Sequence, residues 1–233
     1  SIAGYSSDEI TEISAWSSYL NGVPKNSSPD KWDYQKDNQL NAKKEPGNLI
    51  VREEVARLKE VYSGEPRIGN VCSIFRYYRY GDNASKGWRY INDPRGSNWA
   101  YANESIKIGR NAGYAAAGDC DDFAIVMSAL VESIGCSSRI VLAANNTGGK
   151  SHAFAEVYLG KDCGTDSKVE RIIKWMLIKF KTDKIYAHVD TDTKNIWLNL
   201  DWWADHPGGP FFKADEYVIY SDGDENNLAP LSG

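Results

Sequence analysis

The most regular run of hydrophobic positions begins at Cys120. Phe123, Ala124, Val126, Met127, Leu130, Val131 and Ile134 recur at helical spacing, and Gly135 follows as a stop. Downstream the period changes. Ser138 to Ala144 reads as a strand, Asn145 to Lys150 as a polar, glycine-containing turn, and Ala153 to Leu159 as a second, alternating strand. Residues 160–183 form an insertion with a helix over about Val169–Phe180, before further strands at Ile185–Val189, Ile196–Leu200 and Val218–Tyr220. Upstream, Asn48 caps a helix that runs to about Tyr62. A second helix spans about Ile68–Tyr80, with Gly81 as its stop. A loop region then carries Trp88, Tyr90, Asp93-Pro94 and Trp99, and a short helix over Glu104–Arg110 leads to the glycine-rich approach to Cys120. Residues 1–47 hold turn signals at Asn21-Gly22, Ser28-Pro29 and Pro46-Gly47. They read as a peripheral arm with a short amphipathic helix over Asp8–Leu20. Helices first, then one long helix, then antiparallel-looking strands make an α+β arrangement. The expected organisation is the arm at 1–47 and a catalytic domain at 48–233, with its core at about 68–222.

Composition narrows the picture. The 233 residues carry a net charge of -5, which argues against a nucleic-acid backbone as the main partner. No apolar run is long enough to span a bilayer. The sequence opens at Ser1, and the aromatic-rich, loop-rich surface suggests an extracytoplasmic protein or an anchored ectodomain. The cysteines fit a reducing compartment equally well. Cys72, Cys120, Cys136 and Cys163 show no close CxxC spacing and no disulfide framework.

The chemistry concentrates around Gly118-Asp119-Cys120-Asp121-Asp122. A cysteine in the first turn of a helix meets free backbone N–H groups and the positive end of the helix dipole. Both favour a thiolate, and the same N–H groups can receive an oxyanion. Free cysteines are also commonly small buried hydrophobes, so position alone leaves both readings open. A thiol nucleophile needs a base and an orienting acceptor. The chain has His152, His188 and His206, and any of the three serves on chemistry alone. Asp201 closes the apolar run Trp197–Leu200 and is followed by Trp202 and Trp203. A buried aspartate there needs a partner, although a bond to the following turn would also satisfy it.

Gly118–Ala124, then Ala129–Gly135 and Ser138–Val141, resemble the nucleophile helix and following strand of the transglutaminase-like superfamily. Ser151–Val157 resembles its histidine strand, Trp197–Asp201 its aspartate strand, and Asn92-Asp93-Pro94 is similar to an upstream element. The resemblance implies a papain-like α+β core in which the nucleophile helix packs on an antiparallel β-sheet. It implies Cys120 as nucleophile, His152 as base and then acid, and Asp201 as the orienting group. An upstream aromatic often completes the oxyanion hole in this superfamily, which makes Trp99 the first candidate and Trp88 the second. The activity implied is acyl transfer on peptide or isopeptide bonds through a thioester, with hydrolysis favoured. Protein crosslinking is the alternative, and a non-catalytic binding module of the same fold is the alternative from another class. A peptide or protein substrate is expected, with no cofactor. The oligomeric state is left open.

Two further expectations concern the surroundings. Some of Asp119, Asp121, Asp122 and Glu156, with Trp99, Trp202 and Trp203, are expected to line an acidic, aromatic-walled substrate groove. The aspartates serve equally well as helix caps and the tryptophans as core. No metal is expected. Asp190, Asp192 and Asn195 lack the glycine and terminal glutamate of a calcium loop, and Asp222, Asp224 and Glu225 are no better.

Overall fold

The computed structural model describes residues 34–58, 66–92, 99–145, 151–161, 167–190, 193–210, 212–221 and 228–231. The expected Asp8–Leu20 helix, Asp93-Pro94, Cys163, Asp192 and the acidic group at 222–225 lie outside these residues. The elements in order are α1 (Tyr34–Lys44), α2 (Leu49–Leu58), α3 (Pro66–Tyr80), β1 (Lys86–Tyr90), α4 (Ala102–Asn111), β2 (Tyr114–Gly118), α5 (Cys120–Ser133), β3 (Ser138–Ala144), β4 (Ser151–Gly160), α6 (Lys168–Phe180), β5 (Ala187–Val189), β6 (Ile196–Leu200) and β7 (Glu216–Ser221).

Every residue of α5 from Asp121 to Val131 is buried, so it is a central helix rather than an amphipathic surface one. Its start is fixed locally. The Asp119 side chain accepts from Asp121 N, and the Asp122 side chain accepts from Asp119 N, a reciprocal cap made by two aspartates. Gly118 lets the chain enter that cap: its φ is +152°, and a Cβ there would lie 2.3 Å from Asp122 Oδ2.

The helix packs on a five-stranded antiparallel sheet of order β5-β6-β4-β3-β7. Ala153, Ala155, Val157 and Leu159 of β4 join the main core, together with Phe123, Met127 and Leu130 of α5. The opposite face of β4 carries His152, Phe154, Glu156 and Tyr158, and these are buried too. Phe154 packs there with Val141 and Ala143 under Phe212, Tyr217 and Ile219. Alternation along β4 therefore separates two covered faces, not a wet face from a dry one.

Three features differ from the sequence reading. The end of the arm is a helix, α1, which buries Leu40 and sets Lys44 Nζ 2.8 Å from Glu132 Oε1 near the end of α5. The region around Trp88 and Tyr90, read as loop, is β1. It pairs in parallel with β2, which replaces the expected glycine-rich approach and sets Tyr90 opposite Gly118. The 160–183 insertion is part of the core, since Ile172, Ile173 and Met176 of α6 are buried in it. Among the described residues, no helix is long and apolar enough to cross a membrane.

Candidate active site

The two motif ends that matter meet at one cavity of about 440 Å³, lined by Cys120 from the start of α5 and by His152 from the start of β4. His152 Nε2 lies 2.7 Å from Asp201 Oδ1, and both side chains are buried. Asp201 is in turn held from all sides. Its Oδ1 accepts from Trp203 N at 3.0 Å, its Oδ2 accepts from Phe212 N at 3.3 Å, and its own N–H donates to Asn199 Oδ1 at 3.0 Å. Asn199 is itself anchored, donating to Gly209 O at 2.8 Å. An aspartate gripped this way presents one fixed oxygen to the imidazole, which leaves the other ring nitrogen for a second partner.

The remaining histidines stand elsewhere. His188 on β5 is buried against Glu156 Oε1. His206 stacks on Phe180 with ring centroids 4.2 Å apart, and its Nδ1 lies 2.8 Å from Pro207 O. The sequence left three bases open, and the fold brings only His152, among these histidines, into the lining of the cavity that holds Cys120.

Cys120 is half-buried, and among the described residues neither it nor the buried Cys72 and Cys136 forms a disulfide. The surroundings oppose the expected thiolate. Burial, reinforced by the Asp119 and Asp121 carboxylates, pushes the thiol up to about 11, against a hydrogen bond from Ala153 N–H that pulls the other way. The helix dipole is countered here because the first turn that supplies positive N–H groups also supplies two carboxylates and little water.

Tyr90, which the sequence reading passed over, is the unexpected member of the site. Its hydroxyl donates to the Cys120 sulfur, and burial together with the neighbouring Cys120 and Asp119 pushes it up to about 12. The ring is tilted against Trp202 at 5.4 Å. The parallel β1–β2 pairing brings it there, a long-range register that no local pattern announces. The two tryptophans expected near the oxyanion have their N–H groups occupied. Trp88 is buried and donates to Gly118 O at 2.9 Å, and Trp99 donates to Asp121 Oδ2 at 2.9 Å.

The expected groove residues divide. Asp121 lines the cavity with Trp99, and Trp203 is exposed with its ring 6.2 Å from that of His152. Trp202 is half-buried between Tyr90 and the Arg79 guanidinium. Asp119 and Asp122 are mainly caps, and their carboxylate oxygens lie with that of Asp121 within 4.8 Å of one another. Glu156 is no groove residue. It is fully buried on the far face of the sheet, bound by Arg139 Nε at 2.6 Å. Asp190 is likewise spent, accepting from Arg139 at 3.1 Å and from Trp197 Nε1 at 2.9 Å.

A family model described as the transglutaminase-like superfamily matches residues 68–190, more than half of the chain. The chain belongs to the transglutaminase-like superfamily. Its mixed architecture, helices against a curled antiparallel sheet, is the α+β fold of that superfamily. Members are typically cysteine-dependent enzymes, so membership supports a papain-like cysteine enzyme in general. No curated protein matches the chain.

Proposed function

We propose that the protein is a cysteine-nucleophile acyl-transfer enzyme that hydrolyses peptide or isopeptide amide bonds through a thioester at Cys120. The observation that carries the reading is His152 fixed on Asp201 at 2.7 Å while lining the same cavity as the cysteine.

At rest the sulfur keeps its proton. As a substrate carbonyl approaches, that proton passes to His152 while the sulfur–carbon bond forms, and Asp201 stabilises the imidazolium. The carbonyl oxygen becomes an oxyanion beside the first turn of α5, where backbone N–H groups and the Tyr90 hydroxyl can donate to it. His152 then returns the proton to the leaving amine as the C–N bond breaks, giving a thioester. Water, deprotonated by His152, attacks the thioester, and the carboxylate product and the thiol are released. A protonated resting thiol suits this sequence, since His152 must begin neutral to accept the proton.

The test is acid-quenched mass spectrometry of the enzyme after incubation with a peptide and protein panel. The expected result is an acyl adduct on Cys120 that hydroxylamine removes, with cleavage products absent in Cys120→Ala. Equal product formation by Cys120→Ala, with contaminating protease excluded, overturns the reading.

A further inference from the structure

The cavity beside Cys120 is lined by a carboxylate whose hydrogen bonding is incomplete. Asp121 is 9% exposed, its Oδ2 accepts from Trp99 Nε1, and its Oδ1 is buried with no hydrogen-bond donor. An orphaned buried carboxylate oxygen is costly, and native structures rarely keep one without a use. The surroundings sharpen the question. Glu216 of β7 lines the same cavity, and no lysine or arginine stands among the described residues lining it. Burial first, then a hydrogen bond and like charge shared with Asp119 and the charge of Asp122, push the Asp121 carboxyl up to about 8, as expected where acidic groups crowd together.

The missing partner is a small donor rather than a hard metal ion. Asp122 already accepts from Ala100 N and Asp119 N, and Asp119 Oδ1 from Asp121 N. Most of the oxygens in this cluster already accept N–H bonds, which leaves few free toward the six to eight oxygen ligands, carbonyls and waters included, that calcium takes. An ammonium group has three donors on one compact charge and needs only two or three acceptors. The cavity also opens directly on the thiol, so its occupant is held close to the reacting acyl carbon.

We propose that this cavity is a subsite for a primary ammonium group of the substrate, carried on a lysine- or ornithine-type side chain next to the acyl carbon, with Asp121 as its main partner. The inference rests on Cys120 being the nucleophile, and its test separates the two claims. The probes are acyloxymethyl ketones, which alkylate a nucleophilic thiol, with lysine, norleucine or glutamate beside the ketone. The readout is the rate of adduct formation at Cys120 by mass spectrometry, on the full chain at neutral pH. The expected result is labelling by the lysine probe at least about tenfold faster than by norleucine, with glutamate slowest, the size of a single charge-assisted contact. Asp121→Asn, with folding checked by thermal melting, should bring the ratio of the lysine to the norleucine rate to within about twofold, and the ratio cancels any change in Cys120 reactivity common to both probes.

Equal rates for lysine and norleucine in the wild type overturn the subsite and leave the nucleophile standing. Failure of all three probes to label Cys120, with labelling after denaturation, overturns the nucleophile and the subsite that rests on it. Calcium binding by titration calorimetry that disappears in Asp121→Asn, with no lysine preference, reassigns the carboxylates to a metal and overturns the subsite.

Discussion

Two histidine–carboxylate pairs lie on the same face of one sheet, and they have opposite surroundings. His152 meets Asp201 at the mouth of a cavity whose other wall is a thiol. His188 meets Glu156 further along that face, where Arg139 bridges Glu156 to Asp190 and Trp197 closes the cluster. Side-chain chemistry alone does not distinguish the pairs, since each is a buried imidazole beside a buried carboxylate. What differs is the third group. The first has a thiol and a cavity, the second a guanidinium and full burial. A pair of this kind suits catalysis when a reactive group shares its cavity, and suits structure when a permanent cation already holds its carboxylate.

That contrast predicts crossed effects from two substitutions. His152→Ala should lower turnover by about 10³- to 10⁴-fold while the thermal midpoint moves little, because the ring borders a cavity. Glu156→Gln should do the reverse, costing about 3–5 kcal/mol of stability by leaving Arg139 and His188 short of a buried counter-charge, with turnover per folded molecule retained. The pH dependence of Glu156 has a definite sign. Burial alone would raise this carboxyl, but His188 and Arg139 outweigh it and hold the group below its ordinary value of 4.5. The resulting stability is present above the unfolded value and is lost as pH falls through the folded one, so Glu156→Gln should flatten the acid limb of the stability curve. If Glu156→Gln abolishes turnover in a folded protein, the distinction between the two pairs collapses.

A smaller effect belongs to Tyr90, which ties Cys120 to the short β1–β2 sheet. Tyr90→Phe removes the hydroxyl and keeps the ring on Trp202. It should lower kcat by about 10- to 100-fold with KM nearly unchanged, the signature of a donor used mainly by the oxyanion. A fall in affinity with kcat preserved would make Tyr90 a groove wall instead.

The legibility of these parts in the sequence follows the range of the forces that form them. The strands Ser138–Ala144 and Ile196–Leu200 and the helix from Cys120 were readable to within a residue, because each carries its own period and its own stop. β1 and β2 were missed because five residues such as Tyr-Ala-Ala-Ala-Gly carry no alternation, and their pairing is parallel and long-range. The expected groove role for Glu156 failed for a related reason. Nothing local marks Arg139, seventeen positions away, as its partner, and only the antiparallel register brings the two opposite each other. The buried acceptor on Asp121 was equally hidden, since the same Asp-x-x-Asp spelling serves an ordinary helix cap.

Asp121 gives the subtlest comparison, because it sits one residue from Cys120 and its burial works against the fold around it. Its carboxyl, pushed up to about 8 from an ordinary 3.8, is a group whose folded value lies above its unfolded one. Between those values the folded protein binds more proton than the unfolded chain. This group's contribution is therefore fully present below about pH 4 and declines as pH rises through the folded value near 8. Asp121→Asn removes the titration and keeps an acceptor for Trp99. The variant should match the wild type near pH 4 and exceed it by about 1–3 kcal/mol near pH 7–8, read from urea unfolding across that range. A stabler protein that has lost its preference for lysine probes would mean that the buried carboxylate is kept for recognition at the expense of the fold. An unchanged or lower stability at neutral pH would mean that Asp121 already has its counter-charge in the resting protein, and the contrast between a satisfied Glu156 and an unsatisfied Asp121 would disappear.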